Sequence, residues 1–460
     1  MSVAANLPTW AQLLRDTAAE LNLDIDQETD LVTLAQFHHN ETGIRTRLNQ
    51  LIVEAFGRKV PITANHRLIA SLPIETIWTT NYDKLIENSF NEVGKRVDVR
   101  ITKGNFTAPM RGKDVTLYKM HGDVGTPEVA TLTKDDYEVY GIKNEIFFNA
   151  LKGDLISKTF LFLGFSFTDP NIDYILSRIR LSMGENAQQH YFVMRWPQKP
   201  LDEQDMKANA RYDYDMVRLQ LRIGDLKRYG IKALMIDDFA EITEILETLN
   251  RRVHSKNIMI SGSVSVYPVM DQKRLEDLSV LLGRETIKRG YNLVSGVGLG
   301  IGGSVLIGAL TQFYQPDQDN GRLTDRITMR PFPQIDRNDP KRKEVNTQYR
   351  RDMITTVGYT VFVSGNKVDA TGVQIPADGV REEFAISAEL GKLPIPIGAT
   401  GDMAREIWGE VTADLAQFFP TVNAKKLTEL GELFDILGDT SHDNQAWVDA
   451  VFKIIALTQT

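Results

Sequence analysis

The sequence predicts an α/β fold: two Rossmann-like parallel-sheet domains in tandem. Three observations carry this expectation. Short apolar runs at residues 74–78, 115–120, 159–163, 257–260 and 359–363 alternate with stretches of helical periodicity, as in a parallel sheet with crossover helices. Several of these runs end in a polar or glycine-bearing turn, and open α/β sheets bind ligands at the carboxyl ends of their strands. At 460 residues the chain also exceeds what one hydrophobic core accommodates.

In chain order, Thr9-Trp10-Ala11-Gln12 reads as a capping box opening a helix that carries Leu13, Leu14, Ala18 and Leu21. A helical region over residues 28–56 leads to the strand at 74–78. Asp83 is placed to cap the helix of Leu85, Ile86 and Phe90, which Gly94 closes. Strands at 97–102 and 115–120 follow, then a helix near 145–152. Residues 159–163 are continuously apolar, as a strand covered on both faces is. Strands at 190–195 and 231–236 flank a charged helical insertion at 200–228, and a helix at 239–253 closes a first domain, residues 1–254. A second domain, 255–460, opens on the strand at 257–260 and the turn Ser261-Gly262-Ser263. It continues through a helix at 271–289, a strand at 291–294 and the glycine-rich turn 295–304. Helices at 348–355 and 382–390, strands at 359–363 and 393–397, and a helical tail from 402 complete it.

Composition narrows the function. With 53 basic against 61 acidic residues and a net charge of −8, the chain lacks the basic surplus of a nucleic-acid binder. It has no cysteine, which excludes disulfides and thiolate zinc sites, and no metal is expected. No apolar run reaches a bilayer's thickness and the N-terminus lacks the pattern of a signal peptide, so a cytoplasmic protein without membrane contact is expected.

The turn Thr79-Thr80-Asn81-Tyr82-Asp83 and the turn His121-Gly122 both follow strands, so an amide and an imidazole can face one pocket. Asn81 cannot be a base but can orient a water or a ribose hydroxyl, and His121 can take a proton. Cleavage of a glycosidic bond through an oxocarbenium-like state needs little more. Taken singly, each residue reads more simply: Asn81 as a helix cap and His121 as a satisfied turn histidine.

These residues resemble the sirtuin family. Met1-Ser2-Val3-Ala4-Ala5-Asn6-Leu7-Pro8 looks like the second half of its Gly-Ala-Gly-x-Ser loop, Thr79 to Asp83 like its Thr-x-Asn-x-Asp motif, His121-Gly122 like its His-Gly, and Gly164-Phe165-Ser166 like its Gly-x-Ser turn. The resemblance implies NAD binding, with Asn81 and His121 at the nicotinamide ribose and Ser2, Thr79, Asp83, Gly164 and Ser166 shaping the NAD pocket. The zinc module of sirtuin deacylases cannot form without cysteine, which favours NAD hydrolysis over deacylation. The glycines of the first loop do not precede Ser2, so a chain starting here is expected to bind NAD weakly, and a strand and glycine loop ahead of Ser2 to restore activity.

In the second domain Gly298-x-Gly300-x-x-Gly303 matches a dinucleotide fingerprint, yet the expected acid some 20 residues on is replaced by the turn Gln315-Pro316-Asp317-Gln318-Asp319-Asn320-Gly321. These glycines can equally serve close helix packing. The region resembles the SLOG superfamily of nucleotide sensors through Ser261-Gly262-Ser263, Ser295-Gly296-Val297-Gly298 and Gly379-Val380-Arg381-Glu382-Glu383-Phe384. Gln374-Ile375-Pro376-Ala377-Asp378-Gly379-Val380 stands where enzymatic relatives carry Pro-Gly-Gly-x-Gly-Thr, which favours a sensor. The resemblance implies an activator pocket lined by Gly262, Ser263, Gly296 and Gly298, with Arg350 or Arg351 clamping a phosphate and Glu382 or Glu383 accepting from ribose hydroxyls. A solvated helix face is the plainer reading of the two arginines.

Sirtuin-like and SLOG units in this order resemble the effector family of the Thoeris antiphage defence system. That resemblance implies an NAD-degrading homotetramer, activated when a cyclic ADP-ribose isomer made by a TIR-domain protein fills the SLOG pocket. A nucleotide receptor with an inert sirtuin-like scaffold, and a protein deacylase, are the alternatives.

Overall fold

The computed structural model describes residues 2–164, 176–177, 180, 188–202, 204–316, 321–336, 339–369 and 371–459. The chain divides into two compact units, Met1–Thr248 and Leu249–Thr460. The division falls inside the helix Glu241–His254.

The first unit opens with the expected capping box: Thr9 accepts from the Gln12 backbone while the Gln12 side chain accepts from Thr9 N–H. The helical region at 28–56 is two helices, Leu31–Thr42 and Thr46–Phe56, separated by Gly43 at φ +67°, a left-handed position that ends a helix and that glycine adopts without strain. Leu34, Leu48 and Ile52 bury their sides of this pair. Three strands then form a parallel sheet in the order β1 (Thr76–Thr79), β3 (Val115–Lys119), β2 (Val97–Arg100).

A second parallel sheet runs β4 (Leu161–Phe162), β5 (His190–Arg195), β6 (Ile231–Ile236). The run at 159–163 was expected to be covered on both faces, but β4 is two residues long and Leu161 is 37% exposed. Its place explains this: among the described residues β4 pairs with β5 alone, and an edge strand has a free side. The charged insertion is a single helix, Met206–Lys227, capped by Asp205. It lays Leu219, Ile223 and Leu226 against the core that also holds Phe192 and Ile231.

In the second unit five parallel strands take the order β13 (Leu393–Ile397), β10 (Tyr359–Ser364), β7 (Asn257–Ser263), β8 (Asn292–Ser295), β9 (Ile327–Met329). A short hairpin pairs β11 (Asn366–Val368) with β12 (Gln374–Pro376). All six residues of β10 are buried, as the centre of a doubly covered sheet requires. Chain order reverses between β7 and β10, so the crevice beyond their carboxyl ends is the switch point where such sheets bind ligands. Helices Gln272–Lys288 and Gly302–Phe313 touch backbone to backbone: a Cβ on Gly283 would lie 1.9 Å from Val305 O, and one on Gly308 would lie 1.9 Å from Val280 O. These two glycines, rather than those of the 298–303 fingerprint, serve helix packing. No helix among the described residues is long and apolar enough to cross a membrane.

Candidate functional site

Strand pairing sets the first site. Thr79 pairs with Lys119 across parallel β1 and β3, and Asn81 and His121 each stand two residues beyond that pair. Neighbouring strands lie about 4.8 Å apart, so the two turns leave the sheet side by side. Met120 N–H donates to Thr79 O at 3.0 Å and holds them in step. Asn81 is exposed, whereas His121 is 3% exposed, with Tyr137 edge-on at 5.3 Å between ring centroids.

Ser2 joins them. Asn81 Nδ2 donates to Ser2 Oγ at 2.8 Å, Ser2 Oγ donates to Asp83 Oδ2 at 2.7 Å, and Asp83 Oδ1 accepts the Leu85 N–H at 3.0 Å. Thr79 Oγ1 accepts the Asn81 N–H at 3.1 Å. Four predicted residues, Ser2, Thr79, Asn81 and Asp83, thus form one hydrogen-bonded chain. Gly164 lies at the end of β4 in the other sheet, with φ +60°. Ser166 lies outside the described residues.

Two residues beneath this site escaped the sequence reading. Lys119 is fully buried and donates to the carbonyls of Tyr82 and Asp83, to Glu87 Oε1 at 2.9 Å and to Asp123, so one ammonium ties the turn after β1 to the turn after β3. Burial pushes the Glu87 carboxyl up, with Lys119 opposing. His66 is 3% exposed and its Nδ1 shares a hydrogen bond with Thr63 Oγ1 at 2.7 Å. Burial pushes its imidazole down to about 4, against the pull of Asp83. Neither position stands in a motif; only burial marks them.

The second site lies at the switch point. Ser263 pairs with Ser364 across β7 and β10. Around them the backbones approach too closely for side chains: a Cβ on Gly262 would lie 2.3 Å from Val363 O, and one on Gly298 would lie 2.0 Å from Gly262 O. Gly296 faces the Phe332 ring, 3.1 Å from where its Cβ would be, and the Arg350 guanidinium lies over the same ring, 4.7 Å from its centroid. Arg350 Nη1 donates to Glu382 Oε2 at 2.7 Å, and its Nε stands 3.6 Å from Glu383 Oε1. Arg351 points away and pairs with Glu389 at the surface. Glu383 is buried and accepts from Ser261 Oγ; desolvation pushes its carboxyl up, opposed by Ser261 and Arg350. Gly262, Gly296, Gly298, Arg350 and Glu382 are therefore gathered on one edge, with Ser263 donating to Asn366 O at 3.3 Å.

Strain concentrates on the same edge. Val297, Ser364 and Asp402 have φ of +54°, +53° and +52°, and a β-branched valine there is a costly exception. Asp402 accepts from Ser364 Oγ at 2.8 Å, Asn366 Nδ2 at 2.7 Å and Gln374 Nε2 at 2.8 Å, and Asn366 Oδ1 accepts the N–H of Ser265 at 2.8 Å and of Val266 at 3.2 Å. Asn366 and Asp402 had no sequence signal; the positive φ of Asp402 is visible only in the fold. Among the described residues no group of three or more His, Asp or Glu side chains is arranged to hold a metal ion.

Two domain families match, in the order of the two units: a SIR2-like domain over residues 75–215 and the Sir2- and TIR-associating SLOG family over residues 241–458. Over 463 residues the chain is 40% identical to the NAD(+) hydrolase ThsA of Cytobacillus dafuensis, covering 99% of this chain and 91% of that protein. It is 41% identical to the NAD(+) hydrolase ThsA of Bacillus cereus strain MSX-D12 over 94% of this chain and 89% of that one, and 40% identical to that of Acinetobacter baumannii strain 532279 over 99% and 94%. With the two domain families matched in this order and this similarity end to end, the chain belongs to the ThsA family of NAD(+) hydrolases.

Proposed function

We propose that this protein hydrolyses NAD to ADP-ribose and nicotinamide when a cyclic ADP-ribose isomer occupies the pocket of its SLOG unit, draining cellular NAD as an antiphage defence. The observation that carries the reading is the pairing Thr79–Lys119, which sets Asn81 and His121 at equal distances beyond one register. Water attacks the ribose carbon of the nicotinamide bond as nicotinamide departs with the bonding pair. Asn81 orients that water or a ribose hydroxyl through its amide, and His121 takes the water's proton. The Ser2 and Asp83 chain holds Asn81 toward the substrate.

In the SLOG unit Arg350 supplies the cation for a phosphate and Glu382 the acceptor for ribose hydroxyls, exchanging their mutual ion pair for the ligand. The activator must favour the active state over the resting one, since equal binding to both shifts nothing. The active form is a homo-oligomer, a tetramer by family resemblance, its activator coming from a TIR-domain protein in the same cytoplasm. Incubation with NAD, with and without cyclic ADP-ribose isomers, tests the reading. NAD loss with equimolar nicotinamide is expected only with activator, and to fall about 10²–10⁴-fold in His121→Ala. Arg350→Ala should keep its fold and ignore the activator. Nicotinamide release that requires an acyl-peptide, or no release under any condition, would sink the proposal.

A further inference from the structure

The parallel ladder of β1 and β3 closes at Met120 N–H to Thr79 O, and beyond it Val124 N–H donates to Tyr82 O at 3.0 Å. Asn81 and His121 both stand past the ladder, where the sheet no longer holds one chain against the other. Beneath them is Lys119, the last residue of β3, with no exposed surface. Its ammonium reaches both turns: the carbonyls of Tyr82, at 3.3 Å, and of Asp83 on one side, and the Asp123 carboxylate on the other. Glu87 Oε1, on the helix Leu85–Glu92, accepts from it at 2.9 Å. The other Asp123 oxygen accepts the Gly125 N–H at 2.7 Å and lies 3.7 Å from Lys84 Nζ, so the turn after β3 is folded around that carboxylate. Stability alone does not call for such a cluster. One ammonium faces two buried carboxylates, burial pushes the Glu87 carboxyl up, and Glu87 Oε2 has no hydrogen-bond partner among the described residues. Apolar side chains of similar volume often hold a fold as well or better. What the ammonium adds is direction, since its three donors fix groups of both turns at hydrogen-bond distance together.

We propose that Lys119 is a positioning residue for NAD hydrolysis, setting the separation of Asn81 and His121 on which attack at the ribose carbon depends. It acts through those two side chains, so this role rests on their reading as the reacting pair. Water placed by Asn81 must meet the His121 imidazole at hydrogen-bond distance, and a misplacement of about 1 Å in such a pair costs about 100-fold in rate. Two turns released from their common ammonium lose that register. The hydrogen bond from Ser2 to Asp83, at the proposed NAD pocket, does not pass through Lys119. The kinetic signature is therefore a fall in kcat with KM for NAD nearly unchanged.

Steady-state NAD hydrolysis by the full chain is measured with a cyclic ADP-ribose isomer present, and circular dichroism is recorded on every variant. Lys119→Met is combined with Glu87→Gln and Asp123→Asn so that no buried charge is left unpaired. This triple variant is expected to keep the native spectrum, to lower kcat about 100-fold and to change KM by less than about threefold. Asp123→Asn alone frees the turn of His121 and leaves Lys119 paired with Glu87; it is expected to lower kcat about tenfold, and it decides the matter if the triple variant does not fold. Amide hydrogen exchange, which needs no turnover, is expected to quicken at residues 80–85 and 120–126 together in the triple variant. Wild-type kcat in a folded triple variant, or in Asp123→Asn where the triple does not fold, would overturn the role of Lys119. So would a rise in KM at unchanged kcat, or exchange in both turns equal to wild type. Asn81→Ala and His121→Ala are run beside them. Wild-type kcat in either would sink the reading of the reacting pair and this role with it, whereas their inactivity beside a fully active triple variant would remove Lys119 alone.

Discussion

Lys119 has no solvent-exposed surface, yet it carries a charge and sits between the two turns that bear Asn81 and His121. Burying an ammonium is tolerated only when its donors are all used, and here two carbonyls and two carboxylates use them. Its sequence context, Leu117-Tyr118-Lys119-Met120, gives no hint, since lysine in a β-rich run is ordinarily an edge residue. The motif residues were legible because their chemistry repeats at strand ends; the group beneath them was not, because burial is a property of the fold. His66 is the same case with a measurable consequence. Its unfolded ring takes a proton near pH 6.5 and its folded ring only near 4, so between those values the unfolded chain binds more protons. Stability therefore falls as pH drops from 6.5 toward 4, by about 3 kcal/mol at most if the whole shift is realised. In His66→Asn the acid loss of stability, followed by urea unfolding at pH 7 and pH 4.5, should shrink; an unchanged loss would show that His66 does not titrate in this way.

Among the elements, strands were read more surely than their edges. The five strands of the second unit's sheet include β9, Ile327–Met329, which three residues are too few to announce. The edge strand β4 is shorter than its apolar run because, among the described residues, one neighbour pairs with it. The glycine fingerprint shows how a motif can be right in place and wrong in detail. A Cβ on Gly298 would lie 2.0 Å from Gly262 O and one on Gly302 2.4 Å from Val297 Cα, whereas nothing lies within 4 Å of a Cβ on Gly303, the motif's third glycine. Gly298→Ala is expected to destabilise the unit by about 1–3 kcal/mol and to remove nucleotide binding, because the β7 turn must move. Gly303→Ala, at the open start of a helix, should be neutral or stabilising by up to about 1 kcal/mol. Thermal melts and titration with a cyclic ADP-ribose isomer separate the two, and equal behaviour would mean that the close approach at Gly298 is not what shapes the pocket.

For the molecule as a whole, the two sites stand on separate compact units, each with its own sheet and core. Arg350 and Glu382 pair with each other in this arrangement, so the proposed activator would gain only what its phosphate and hydroxyls offer beyond that ion pair. Gating then requires that binding at one unit alter the free energy of binding at the other, and such coupling is reciprocal. If a cyclic ADP-ribose isomer tightens NAD binding by some factor, NAD must tighten the isomer by the same factor. A coupling of 1–3 kcal/mol, typical of allosteric proteins, corresponds to about 5- to 150-fold. His121→Ala, which should bind NAD without consuming it, allows both arms to be titrated by calorimetry. Equal factors above unity in the two directions are expected. Factors near unity in both would mean that the activator acts on the chemical step rather than on substrate binding, and would place the switch at Asn81 and His121 themselves.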